Sequence, residues 1–280
     1  MQLHIYDMHT HTDCSHDSTQ PIDELCSAQI VAGCAGVAVT NHSDTPYSHE
    51  NGDFSRLERS LREGAKAAER YAEQLEVLRG VEVGEALWAK ENTRIILEME
   101  GWDVILASVH GQLEEGRCRY YGSDPYDAWS QEKLDGFLRK YLEDLAETAA
   151  LADYDVLTHL DCPIRYISGK CHREADIMHY ADLVDEVLRA VIRRDKTLEI
   201  NTSGLNSGWG HTMPEFDVIQ RYQQLGGQRI CVGSDAHASR NAGKGLPETV
   251  QRLIALGFEK QTIYRKRCPV EIAFAKEKLL

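Results

Sequence analysis

Short apolar runs alternate with stretches of helical periodicity along this sequence, and that alternation restricts the fold more than any other feature. Strands joined through a helix have room to lie parallel, whereas tight turns join only antiparallel neighbours. Residues 3–8, 36–40, 76–83, 102–109, 155–158, 197–201 and 229–233 read as strands. Between them, residues 54–74 carry Leu57, Leu61, Ala65, Ala68 and Ala72 at helical spacing, with Arg and Glu filling the other face. Similar patterns cover residues 133–152, 175–194, 214–225 and 247–256, and Gly226-Gly227 and Gly257 stop the last two. Repeated strand and helix units of this kind predict an α/β fold, a single barrel of parallel strands ringed by helices.

A chain of 280 residues has room for one large core or two ordinary ones. No linker rich in Pro, Gly or Ser, low-complexity tract or internal repeat divides it, so one domain over residues 1–280 is expected. Hydrophobic residues at 42% and charged residues at 27% are ordinary for a chain that buries a sizeable core, which argues against disorder. The longest stretches without periodicity, residues 43–53, 111–129, 162–174 and 203–213, each follow a strand. In a barrel such loops gather over the C-terminal rim, where they can enclose a substrate.

Candidate functional residues fall on that same rim. The first strand leads into His9-Thr10-His11, and residues two apart in an extended chain point to one side, so both imidazoles can reach one ion. Asp17 follows in the next loop, with His16 beside it as an alternative donor. The second strand ends in Thr40-Asn41-His42, the third carries Glu82, and the fourth ends in Ser108-Val109-His110. The fifth gives Thr158-His159-Leu160-Asp161 and the seventh Gly233-Ser234-Asp235-Ala236-His237. Only the sixth, Leu198-Glu199-Ile200-Asn201, lacks a strong ligand.

A single histidine after a strand is more often a capped loop residue than a ligand. Donors from six strands converge in a barrel, however, and so many imidazoles and carboxylates brought together without positive charge would cost heavily in desolvation. A multinuclear metal centre relieves that cost. His4, His49, His172, His179 and His211 lie away from the motifs and read as solvated residues. Cys14 and Cys231 neighbour the motifs but read as buried packing residues rather than ligands.

The formal net charge of −14, from 45 acidic against 31 basic residues, opposes long nucleic acids and anionic membranes. A small or metal-screened substrate fits better, because bound divalent ions would add positive charge where they sit and could give the local field the opposite sign. The N-terminal segment lacks the basic start, apolar stretch and cleavage site of a secretory signal, and no run is long enough to span a bilayer. Eight cysteines without a CxxC pair suit reduced thiols, and a cytoplasmic location is expected.

Taken together and in order, HxH, Asp17, TxH, the isolated Glu82, SVH, HLD and GSDAH resemble the polymerase and histidinol phosphatase superfamily, the PHP domains. The likeness covers almost the whole chain. More narrowly, His159-Leu160-Asp161-Cys162-Pro163-Ile164-Arg165-Tyr166 and Leu198-Glu199-Ile200-Asn201-Thr202-Ser203-Gly204 look like segments of histidinol-phosphatases. The resemblance implies a distorted (β/α)7 barrel of the TIM type with up to three divalent ions, for which zinc, iron and manganese are all suited. Carried over residue by residue, His9, His11, Glu82 and Asp235 would hold one ion. Glu82, His110 and His159 would hold a second, and Asp17, His42 and His237 a third. Asn41 departs from the family, many members of which have a carboxylate before this histidine.

The same resemblance implies a phosphomonoesterase, with Glu82, Asp235, His237 and Arg165 in catalytic roles. Two ions bridged by Glu82 would lower the pKa of a shared water toward neutrality, supplying the nucleophile. Arg165 matches a phosphate-binding arginine, and its planar fork can grip two phosphate oxygens. Arg117, Arg119, Lys170, Arg240 and Lys244 also lie in rim loops, where a charged residue is usually solvated surface. Hydrolysis of nucleotides or phosphodiesters is the alternative within the same site, and a non-catalytic metal-binding protein the alternative outside it.

Overall fold

The structure, a computed structural model, describes residues 3–44, 53–114 and 117–275. Its strands are β1 (Tyr6–Thr10), β2 (Gly36–Asp44), β3 (Glu76–Gly84), β4 (Val104–Ser108), β5 (Gly111–Glu114), β6 (Arg117–Tyr120), β7 (Val156–Leu157), β8 (Thr197–Asn201), β9 (Ile230–Gly233), β10 (Lys260–Arg265) and β11 (Cys268–Ala273). Between them lie α1 (Ile22–Val31), α2 (Ser55–Tyr71), α3 (Lys90–Glu98), α4 (Gln131–Leu151), α5 (Cys162–Ile164), α6 (Ala181–Arg193), α7 (Ser203–Asn206), α8 (Phe216–Gln224) and α9 (Leu246–Ala255). Strands β1, β2, β3, β4, β7, β8 and β9 close in that order into an all-parallel barrel. The seven strands expected from the sequence are these seven.

Alternation along the strands divides the core in two. Val37, Val39, Val81, Val83, Ile105, Ala107, Leu198, Ile200 and Val232 face outward and pack with the helices, as β-branched side chains on a pleated surface do well. Tyr6, Met8, Ala38, Leu78, Val104, Leu106, Val156 and Cys231 fill the lower interior. The β10–β11 hairpin stoppers that end, adding Ile263 and Tyr264 to the interior cluster. Tyr264 donates its hydroxyl to Asp155 O at 2.9 Å, and Arg267, in the hairpin turn, reaches the carboxylates of Asp153 and Asp155.

Several boundaries differ from the sequence reading. The first strand runs over Tyr6–Thr10 rather than residues 3–8, because Leu3 pairs with Ala275 and His4 donates its amide to Phe274 O. The fifth barrel strand shrinks to Val156–Leu157. Within the 111–129 stretch read as loop, β5 and β6 form an antiparallel hairpin on the rim. On α2 the buried face is Leu57, Ser60, Gly64 and Ala67, with Leu61 and Ala68 only partly buried. Small residues lead there because the Arg79 side chain crosses the helix at Gly64, where an added Cβ would come within 2.8 Å of its Cγ.

One irregularity prepares the site. The pairing of β1 on β2 steps from Asp7↔Val37 to Thr10↔Val39, so β1 carries one extra residue. Such a bulge re-aims side chains. Met8 joins the apolar interior while His9, its neighbour, also turns inward to Glu82 and Glu199. Among the described residues no helix is long and apolar enough to cross a membrane.

Candidate metal centre

His9 is the last residue but one of β1 and His11 lies just beyond the strand; His42 sits inside β2 and Glu82 inside β3. His110 follows β4, His159 follows β7, and Asp235 and His237 follow β9. Barrel closure gathers these residues, with Asp17, into three adjoining groups. In the first, His9 Nε2 lies 3.0 Å from His11 Nε2, 3.1 Å from Glu82 Oε2 and 3.6 Å from Asp235 Oδ1. His11 Nε2 lies 3.5 Å from the same Glu82 oxygen and 3.2 Å from the same Asp235 oxygen. In the second, Glu82 Oε1 stands 3.0 Å from His110 Nε2 and 2.9 Å from His159 Nε2, which are 3.3 Å apart. In the third, Asp17 Oδ2 is 3.6 Å from His42 Nε2 and 3.1 Å from His237 Nε2, and these nitrogens are again 3.3 Å apart.

Donors held about 2.1 Å from a tetrahedrally coordinated ion stand about 3.4 Å from one another. Every separation above falls near that value, so the residues fit divalent ions. The ring orientations agree. His9 Nδ1 faces Glu199 Oε1 at 2.7 Å, His11 Nδ1 faces Ser15 Oγ at 3.0 Å, and His110 Nδ1 faces Asp44 Oδ1 at 3.0 Å. His237 Nδ1 lies 2.9 Å from Asp235 O. With the outer nitrogen donating to each of these acceptors, Nε2 turns a lone pair inward. Positive charge between them would relieve the three pairs of nitrogens that face each other this closely, and His9, His11 and Glu82 are wholly buried.

The electrostatics are tightly linked. Burial works against an ionised Glu82, but His42, His9 and His110 hold it well below the usual carboxylate range. Burial likewise opposes ionisation of Asp235, and His9 and His11 outweigh it. For His42, burial disfavours the charged ring, yet Glu82 and Asp17 raise its pKa to about 10. His9 and His110 rise well above the ordinary value on the same balance, with Glu199 and Glu82 acting on the first and Glu82 and Asp44 on the second. His11 goes the other way, pushed down by burial and by His237 and His42, on whose rings it stacks at centroid distances of 4.0 and 4.2 Å.

A cleft of about 350 Å³ opens above the groups, lined by Asp17, Asp44, Tyr120, Gly122, Arg165, Tyr166 and several of the histidines. Arg165 enters it from the turn after α5. Its Nη1 donates to Ser203 Oγ at 2.9 Å and lies 3.7 Å from Asp235 Oδ2, and its Nη2 donates to Tyr166 Oη at 2.8 Å. The other basic candidates do not line this cleft. Arg119 pairs with Glu114 and Asp124, and Lys170 donates to Gly122 O. Arg240 and Lys244 stand apart, and the Arg117 side chain and His49 fall outside the described residues. His16 lines the cleft and its ring lies 5.3 Å from that of His42, whereas Asp17 reaches His237 directly.

Neither cysteine near the motifs joins the groups. Cys14 lies beside Asp13 and Glu63, which Arg59 already bridges, and Cys231 belongs to the apolar interior. Asn41 turns away from the centre, its Oδ1 accepting from the Thr12 amide at 2.7 Å and the Ser15 hydroxyl at 3.1 Å, so it anchors the serine that orients His11. The sixth strand, read as lacking a ligand, contributes Glu199, which touches the site through His9. Asp44 and Ser15 were also missed. Their only sequence signal is proximity to the motifs, and which ring each meets depends on closure of the barrel.

A family model described as "PHP domain" matches residues 7–203. A protein of Thermotoga maritima named "Probable histidinol-phosphatase" is 29% identical over 266 residues, covering 93% of this chain and 96% of its own length. A Lactococcus lactis protein named "Histidinol-phosphatase" is 25% identical, covering 91% and 92%. Among solved structures, the histidinol phosphate phosphatase of Lactococcus lactis, complexed with zinc, L-histidinol and phosphate, superposes with a TM-score of 0.75 at 20% identity, covering 95% of this chain and 98% of that one.

Proposed function

Because the chain belongs to the PHP domain family, we propose that it is a metal-dependent phosphomonoester hydrolase that converts L-histidinol phosphate and water to L-histidinol and phosphate. One observation carries the reading: three groups of donors at tetrahedral spacing adjoin one another at the base of a cleft that also holds Arg165. Curated relatives of nearly the same length that bear the histidinol-phosphatase name support the substrate. We read residues 1–280 as one PHP metallophosphoesterase domain. Its eight unpaired cysteines support a reducing, cytoplasmic setting.

In this reading one divalent ion is held by His9, His11, Glu82 and Asp235, a second by Glu82, His110 and His159, and a third by Asp17, His42 and His237. When bound, such ions offset phosphate charge and lower the pKa of a coordinated water. Glu82 gives one oxygen to each of the first two groups and so fixes their separation. Asp235 turns Oδ1 toward His9 and His11 and leaves Oδ2 beside Ser203 and Arg165, placed to take a proton from attacking water. Arg165 grips the equatorial phosphate oxygens as charge builds on them. The P–O bond to the alcohol breaks, the leaving oxygen takes a proton from solvent water on the side lined by Asp17 and His237, and Asp235 returns to solvent the proton it took. A cleft of about 350 Å³ suits a small phosphorylated metabolite, and the net charge of −14 argues against long nucleic acid.

The test is phosphate release by metal-loaded protein from L-histidinol phosphate, a panel of other monoesters and a diester. The expected result is fastest turnover of histidinol phosphate, abolished by chelation. No release from any monoester would overturn the proposal.

A further inference from the structure

We infer that Glu199 is a positioning residue that ties together the two groups bridged by Glu82. The inference rests on the reading of those groups as metal sites. Glu199 lies on the interior face of β8, wholly buried, and makes no contact with the cleft. Its Oε1 lies 2.7 Å from His9 Nδ1, in the first group. Its Oε2 accepts the backbone amide of His159, in the second group, at 2.9 Å, and the Asn201 side-chain amide at 3.3 Å. His159 has a φ of 23°, a left-handed conformation that a non-glycine residue holds only when its surroundings enforce it. One carboxylate therefore sets the tautomer of one ring and the backbone that aims another.

Gly233 provides an independent sign that the contact is built in. A Cβ at that position on β9 would collide with Glu199 Oε1 and lie 2.5 Å from His9 Cβ. Glycine leaves the space in which the carboxylate meets the ring.

The chemistry demands a carboxylate. All three groups facing Glu199 are N–H donors, and only a carboxylate offers acceptors at both ends. Glutamine has the same size but would turn an NH₂ toward one of the donors, breaking a buried hydrogen bond or forcing His9 to present the wrong nitrogen.

The experiment loads the full-length wild type, Glu199→Gln and Glu199→Asp with zinc alone. It measures zinc content and chelator competition, and records the imidazole nitrogen spectrum of His9. In Glu199→Gln, two of the ions are expected to bind about 10- to 100-fold more weakly, while the ion held by Asp17, His42 and His237 keeps its affinity. Glu199→Asp, acceptor-only at both oxygens, recovers part of the loss. Unchanged affinity at every site in Glu199→Gln would overturn the inference. Should Glu199→Gln fail to fold, the wild-type spectrum decides. Zinc on Nε2 with an exchange-protected Nδ1–H supports the role, and ligation through Nδ1 refutes it. A wild type that takes up no zinc removes the metal centre itself, and the inference with it.

Discussion

His110 Nε2 and His159 Nε2 face each other across 3.3 Å, with Glu82 Oε1 at 3.0 and 2.9 Å from them. The other Glu82 oxygen stands 3.1 Å from His9 Nε2. Removing this carboxylate's charge therefore strikes two groups at once. Glu82→Gln is expected to lose two ions per chain and more than about 100-fold in kcat. Elemental analysis with a phosphate-release assay checks it, and a variant with wild-type metal content would contradict the assignment.

The third group touches the others through His42, whose Nδ1 stands 3.0 Å from Glu82 Oε2, but its remaining members are the more exposed. Asp17 and His237 have side chains 42% and 29% exposed, against 0% for His9 and Glu82, so substitution here leaves the buried groups intact. Asp17→Asn and His237→Ala are each expected to bind about one ion fewer than the wild type and to melt close to it. Loss of all metal from either variant would show that the groups are not independent.

In the proposed reaction Arg165 acts on substrate rather than on metal. Arg165→Ala is expected to lower kcat/KM about 10- to 100-fold, the worth of a charge-assisted hydrogen bond, with weaker inhibition by inorganic phosphate and unchanged metal content. Arg165→Lys restores the charge but not the fork, so it should recover only part of the activity. An alanine variant with undiminished phosphate inhibition would place the anion elsewhere.

Acidity sets two opposing trends. In His42, burial opposes the proton but Glu82 and Asp17 raise the pKa from its ordinary 6.5 to about 10. A pKa raised by folding stabilises the fold fully below the unfolded value, and the gain is lost as pH rises through the folded one. Chelator-treated protein should therefore lose Tm between pH 6.5 and 10. Ligation needs neutral imidazole, so loading with metal near neutral pH should release protons, and the ions should depart as pH falls through roughly 6 to 5. Melting curves, calorimetry in buffers of different ionisation heat, and metal content against pH read these effects. Full metal content at about pH 4 would count against histidine ligands.

Below the site the interior is apolar, and there the fold can be weakened without touching the chemistry. Leu106 is fully buried among Met8, Leu78, Cys231 and Ile263. Leu106→Ala is expected to cost about 2–5 kcal/mol, seen as a lower Tm in metal-loaded protein whose ion content matches the wild type. A variant that lost its ions while keeping its Tm would show that this layer shapes the site directly.

Much of this was legible in the sequence because a barrel strand leaves a local trace. Val37-Ala38-Val39 and Val104-Ile105-Leu106-Ala107 are apolar on both faces, and the donors follow where such runs stop. Helix α1 left a weaker trace, since its buried face includes Gln29 while Val31 is 88% exposed. The β10–β11 hairpin reads as polar, because β10 ends in Arg265, the turn carries Lys266 and Arg267, and one face of β11 lies in solvent. Glu199 was hidden for another reason. Its partner His9 is 190 positions away, and the bulge that brings His9 inward is a register shift between strands, which neither strand shows alone.

The hairpin beneath the barrel has a kinetic consequence. With Ile263 and Tyr264 seated among the interior side chains, the described residues fill the lower barrel axis, so arrival and departure are expected through the cleft above the histidines. Alcohol and phosphate must back out along the route the ester came in by, and whichever lingers bars the next molecule from the chamber.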